Sequence, residues 1–74
     1  MWSVILDTLL HNLVGKTQVG FEQGGVTVLR TVVSWDGDTL TTCDDLGSYF
    51  QTWIASIQVV LVGDWGVTIR VYPE

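Results

Sequence analysis

The stretch Val26 to Thr42, V-T-V-L-R-T-V-V-S-W-D-G-D-T-L-T-T, carries the clearest structural message in the chain. Ten residues rich in Val, Thr and Trp run into Asp36-Gly37, a dipeptide suited to the positive φ values of a two-residue type I′ turn, and Asp38 to Thr42 supplies the returning strand. Such a loop places Trp35 opposite Asp38 and Val33 opposite Leu40, with Leu29 and Thr31 on the same face. The other face carries Val28, Arg30 and Val32. Upstream, Thr17 to Gln23 alternates Val19 and Phe21 with Gln18, Gly20 and Glu22, and Gly24-Gly25 turns it into the hairpin. A three-strand meander is expected, with Val19 and Phe21 beside Val28 and Arg30.

Helices are expected on either side of the meander. Ser3 is placed to cap a helix over residues 3–14, in which Trp2, Ile5, Leu6, Leu9, Leu10, Leu13 and Val14 recur at spacings of three and four. Asp7 and His11 suit its dipole, and Gly15 stops it. After the meander, Thr42, Asp44 or Asp45 can cap a second helix, and Leu46, Tyr49, Phe50, Trp53, Ile54, Ile57, Val60 and Leu61 again follow a helical stripe. The end of that segment, Ile57 to Val62, also reads as a buried strand, but the periodicity runs through Leu61, so the helix is assigned to residues 45–62. Val67, Ile69 and Val71 alternate with polar partners in a last strand. The predicted fold is a single α+β domain over residues 1–74 in the order αβββαβ, a two-layer sandwich with two helices on one face of a four-stranded mixed sheet.

Size and charge bound the function. A domain of 74 residues buries only about 60 to 65% of its unfolded surface, and small domains commonly add disulfides, a metal or a partner subunit. Cys43 is the single cysteine and His11 the single histidine, so neither an internal disulfide nor a zinc site is available. With 47% hydrophobic residues against 15% charged, and apolar positions on both sheet faces, a homo-oligomer is expected. The net charge of −5 disfavours direct nucleic-acid binding. The uncharged run Leu46 to Gly63, 18 residues with five polar ones scattered through it, is a poor membrane span. The N-terminus lacks the features of a secretory leader and the lone cysteine suits a reducing compartment, so the expected location is cytoplasmic.

No motif for catalysis, phosphate or metal stands out. Asp36, Asp38, Asp44 and Asp45 suggest oxygen ligands, but position twelve counted from Asp36 is Gly47 where a calcium loop needs Glu. Turn and cap roles account for all four. Cys43 lies beside two carboxylates, which oppose a thiolate, and no base is spaced to serve it. No cofactor is expected. Trp2 and Trp53 fall on helical core stripes, whereas Trp35 and Trp65 flank turns, where they either resemble interface anchors or fold back over the ends of the sheet. Trp35, Asp36, Asp38, Asp44, Asp45 and Trp65 are therefore the candidate protein-binding residues. The expected function is a non-enzymatic protein–protein interaction module, a small acidic inhibitor or adaptor that meets a basic surface on a protein partner. The alternative is a self-assembling structural subunit, and an enzyme ranks last.

Overall fold

Why the β-rich sequence forms a curled sheet is visible in a computed structural model, which describes residues 2–64 and 66–73, without the side chains of Trp2 and Ser3. Among the described residues the chain makes one α-helix and six strands: α1 (Trp2–Leu13), β1 (Val19–Gln23), β2 (Val26–Trp35), β3 (Thr39–Cys43), β4 (Tyr49–Trp53), β5 (Ile57–Gly63) and β6 (Gly66–Val71). A three-residue 3₁₀ turn, Ile54–Ser56, joins β4 to β5. The strands form a mixed sheet in the order β4-β3-β2-β1-β6-β5, in which β1 and β6 run parallel and every other neighbouring pair is antiparallel.

This corrects the expected αβββαβ sandwich. The second helix, assigned to residues 45–62, does not form. Asp44, read as a helix cap, closes a hairpin loop instead: its Oδ1 accepts from the amides of Leu46 and Ser48, both at 2.9 Å. The Asp44 amide donates to the Ser48 carbonyl at 3.0 Å, and Gly47 takes a φ of +85° that a residue with a Cβ would resist. Cys43 and Tyr49 then face each other across the ladder. Beyond the loop, the period is two. Tyr49, Gln51 and Trp53 are exposed while Phe50 and Thr52 are half-buried. The aromatic and β-branched residues that mimicked a helical stripe fit a pleated surface better. The hydrophobic spacing at 3 and 4 arose because both strand faces carry apolar residues.

The central hairpin differs in register from the expected one, with the partner of Trp35 moved by two residues, from Asp38 to Leu40, and an offset of one beyond a bulge. Trp35 pairs with Leu40 and Val32 with Thr42, with a bulge at Val33 between them. The loop is Gly37-Asp38, in which Gly37 has φ +99° and Asp38 does not have positive φ, so the two positive φ values of a I′ turn are not present. Asp36 sets it by accepting the Asp38 and Thr39 amides on one oxygen, at 2.9 and 2.8 Å. The bulge changes the expected sidedness: Trp35 and Leu40, expected on the face of Leu29 and Thr31, point with Val32 and Thr42 to the face of Val19 and Phe21. The predicted pairing of Val19 and Phe21 with Arg30 and Val28 is the one observed.

The sheet cannot be flat. Five inter-strand gaps of about 4.8 Å would hold β4 and β5 roughly 24 Å apart, yet the chain passes from Trp53 to Ile57 in four steps, a reach of about 14 Å at most. The two edges are therefore drawn together at that end, and the sheet curls into a half-closed barrel. The Ser56 carbonyl accepts the Tyr72 amide at 2.9 Å and the Asp38 carbonyl accepts the Ile54 amide at 2.8 Å, which pins the connector to both halves.

Helix α1 plugs one end of the concave side. Leu6, Leu10 and Leu13 are buried there with Val19, Phe21, Val32, Leu40, Ile57 and Ile69. Ile5 and Val14, expected on the same stripe, are exposed, so the buried stripe is narrower than predicted. The Gly15 amide donates to the Val32 carbonyl and the Val32 amide to that of Lys16, both at 2.9 Å, which ties the end of the helix to β2. The proposed Ser3 cap and the place of the Trp2 ring lie outside what is described. On the convex side Arg70 Nε meets Glu22 Oε1 at 2.7 Å between the parallel strands, a partly exposed pair worth about 1 kcal/mol at most.

Two stability measurements check this packing. Leu10→Ala should cost about 2–5 kcal/mol in urea denaturation, while Ile5→Ala, at a site 74% exposed, should stay within about 0.5 kcal/mol. Similar losses at both sites would mean that another face of α1 is buried. Thr42 is fully buried and its hydroxyl has no hydrogen-bond partner among the described residues. Thr42→Val should therefore raise the denaturation midpoint, by about 1 kcal/mol of stability, because it removes an unpaired polar group at nearly constant volume.

Candidate functional site

The candidate residues around β3 divide into two groups. Asp36 and Asp38 stand at the turn before β3 and Asp44 and Asp45 at the loop after it, so about 17 Å of strand separates them. They do not form one acidic rim. Asp36 and Asp44 spend their carboxylates on backbone amides of their own turns, whereas Asp38 and Asp45 are exposed. Trp35 is half-buried against the core, and its Nε1 donates to Asp7 Oδ1 at 2.8 Å. That bond fastens β2 to α1. Trp65 lies outside the described residues.

The concave face offers a second candidate. Because α1 covers only the end of the sheet around Val32 and Leu40, the other end of the half-barrel is left open as a mouth of about 620 Å³. The pleat sends Phe21, Val26, Val28 and Arg30 into it from β1 and β2, and Phe50 and Thr52 from β4. Val71 closes the far wall, and at the rim Gln23 Nε2 donates to the Tyr72 carbonyl at 3.0 Å. That β4 and β6 line one space, though three strands lie between them in the sheet, follows from the curl.

Arg30 is the cation in this mouth. Its guanidinium carbon lies 3.8 Å from the centroid of the Phe50 ring and 5.4 Å from that of Phe21. Packing over Phe50 holds a long side chain in place by cation–π attraction. No carboxylate among the described residues lies within salt-bridge distance of it. The sequence carried a signal here that was missed: an arginine at the alternate position between Val28 and Val32, on the strand face that holds Val19 and Phe21.

The sheet edges form the third feature. Strand β5, I-Q-V-V-L-V-G, is an edge of seven residues with no charge and no proline, and Leu61 and Val62 along it are 43% and 67% exposed. Natural edge strands are normally blunted by lysine, proline or a covering loop. The bulge between Ile57 and Val59 breaks the ladder at its start, but Val59 to Gly63 runs regularly against β6. Strand β4, Y-F-Q-T-W, is uncharged too, with Tyr49 and Trp53 exposed.

Cys43 sits in the ladder between Thr31 and Tyr49, and His11 is on the exposed side of α1. Among the described residues no group of three His, Cys, Asp or Glu is arranged to hold a metal ion, and no helix is long and apolar enough to cross a membrane.

No family model, curated protein or solved structure matches this chain. The acidic turn can be tested directly. The amides of Asp38, first, and of Thr39 favour the charged form of Asp36 and hold its pKa below the ordinary value of 3.8. A depressed folded pKa means that this contribution to stability is complete above the unfolded value and is lost as the pH falls through the lower, folded one. Denaturation midpoints measured from pH 7 down to pH 3 should therefore fall further for the natural chain than for Asp36→Asn, whose side-chain oxygen still accepts both amides. Parallel curves would remove Asp36 from the acid response.

Proposed function

We propose that the chain is a non-enzymatic protein-interaction module that takes up a partner strand along the free edge of β5. One observation carries this reading: a seven-residue edge with no charged residue and with exposed Leu61 and Val62. Its outward N–H and C=O groups are a template for strand addition, in which backbone hydrogen bonds give affinity and alternate side chains give specificity. Asp64, at the turn that follows β5, and the exposed Asp38 and Asp45 add negative charge around the molecule. These charges favour a partner segment flanked by Lys or Arg and speed its approach. A reducing, cytoplasmic setting fits the free thiol of Cys43.

A second reading is pairing between two copies, the structural-subunit alternative. It is favoured by the strand itself, since an antiparallel pair centred on Val60 sets Val60 against Val60 and Val59 against Leu61 and opposes no like charges.

One substitution tests both. Val62→Lys places a charge on the edge at a site 67% exposed, and should change stability by no more than about 0.5 kcal/mol while blocking strand addition. Light scattering after size exclusion at about 100 μM would detect self-association with a Kd near 1 μM. A dimer that becomes a monomer in the variant supports the second reading. A monomer in both forms, with a protein captured by the natural chain and lost by Val62→Lys, supports the first. A monomer whose captured proteins are unchanged by Val62→Lys would remove the β5 edge from the function.

A further inference from the structure

We propose that the open mouth of the half-barrel is a binding site for a small organic carboxylate with an apolar body, its head held by Arg30 and its tail lying along Val28 and Val26. This goes beyond strand pairing at β5 and concerns a different part of the sheet.

The argument starts from what Arg30 lacks. A half-buried guanidinium ordinarily meets a carboxylate, because its five donors lose water without replacement. Arg70 follows that rule with Glu22. Arg30 does not. It is half-buried, packs on two aromatic rings, and makes no hydrogen bond or ion pair with any described residue. No Asp or Glu lines the mouth around it. Packing on Phe50 restrains the guanidinium, and its N–H donors, taken by no described residue, suit the two parallel hydrogen bonds that a carboxylate accepts.

The walls select the rest of the ligand. From Arg30 to Val26 along β2 is roughly 13 Å, and on this face the strand presents Val28 and Val26, which are 41% and 64% exposed. Phe21 and Val71 continue the apolar lining, while Thr52 and Ser56 add hydroxyl groups. A volume of about 620 Å³ lies within the range of pockets that enclose ligands of drug or acyl-chain size, and barrel mouths are a common place for them. An extended apolar body with one anionic end matches both the position of the charge and the length of the wall. A cationic ligand would meet Arg30 with like charge. A purely apolar one would leave its donors unpaired.

The test uses the full chain and three probes of equal length: decanoate, decan-1-ol and decylammonium, each below its micellar concentration. Amide chemical shifts followed by two-dimensional NMR should show decanoate binding at sub-millimolar concentration, at least tenfold tighter than decanol, with decylammonium weakest. The shifts should centre on Val28, Arg30, Phe50 and Thr52 and spare α1. Arg30→Gln, checked for a native-like spectrum, should weaken decanoate at least tenfold and leave decanol little changed. Should that variant fail to fold, Arg30→Lys takes its place, with a several-fold loss expected because an ammonium can neither stack flat nor form a fork. Val62→Lys, which blocks the β5 edge, should bind decanoate as the natural chain does. Equal affinity for decanoate and decanol, an undiminished decanoate affinity in a folded Arg30 variant, shifts centred outside the mouth, or no binding at millimolar probe would each overturn the proposal.

Discussion

The connector Ile54–Ser56 is the constraint on which this structure depends. It ties together the two strands that lie farthest apart in the sheet, and a chain of that length cannot bridge a flat sheet. Curvature follows as a matter of chain length. The long strand β2 takes part in both halves, pairing with β1 from Val26 to Arg30 and with β3 from Thr31 to Trp35, and the bulge at Val33 lies within the second pairing. Bulges bend strands and increase local twist, so this one serves the closure that the connector demands. The bonds from Tyr72 to Ser56 and from Ile54 to Asp38 then hold the two halves in that arrangement.

Curling a sheet with one helix divides its concave side into a filled end and an open one. At the filled end Leu6, Leu10 and Leu13 meet Val32, Leu40 and Ile69, and this cluster supplies most of the apolar burial available to so small a chain. The open end keeps Val26, Val28 and Arg30 near solvent. Part of the exposed apolar surface thus lies in the mouth, at Val26 and Val28, and along the uncharged edges β4 and β5, and part on α1, the outer face of β2 and the loop at Leu46. Contiguous apolar surface of this kind marks sites of binding more often than it marks bare protein. The acidic residues work differently. Asp7, Asp36 and Asp44 are engaged in holding Trp35 and two turns, so much of the negative charge that dominates the composition is structural in its local role.

How much was legible depended on the range over which each interaction acts. The strand pairing around Gly24-Gly25, with Val19 and Phe21 facing Arg30 and Val28, could be read from alternation and one turn, because every determinant lies within about a dozen residues. Helix α1 was readable for the same reason. The second helix was misread because Tyr49, Phe50, Trp53, Ile54 and Ile57 satisfy a period of 3.6 as well as a strand with two occupied faces, and because aspartates cap helices and hairpin loops with the same oxygen. The choice between them is made by distant residues. Strand β4 is stabilised by pairing with β3, and β5 by pairing with β6. The site divided in the same way: Arg30 could be placed on the apolar face of β2 by alternation, but its position over Phe50 could not.

The sequence by itself determined the pairing of β1 with β2 around Gly24-Gly25 and which face of those strands is apolar, and with one cysteine and one histidine it leaves no internal disulfide or Cys/His zinc site. Tertiary structure alone decided that residues 49–53 and 57–63 extend as strands, that β6 lies parallel to β1, and that β4 and β6 come to line one space around Arg30. The physical reason is that local hydrogen bonds and side-chain alternation act over a few residues, whereas a sheet forms from partners far apart in the chain. Its curl is set by the closure of the whole, a quantity that no short window of residues contains.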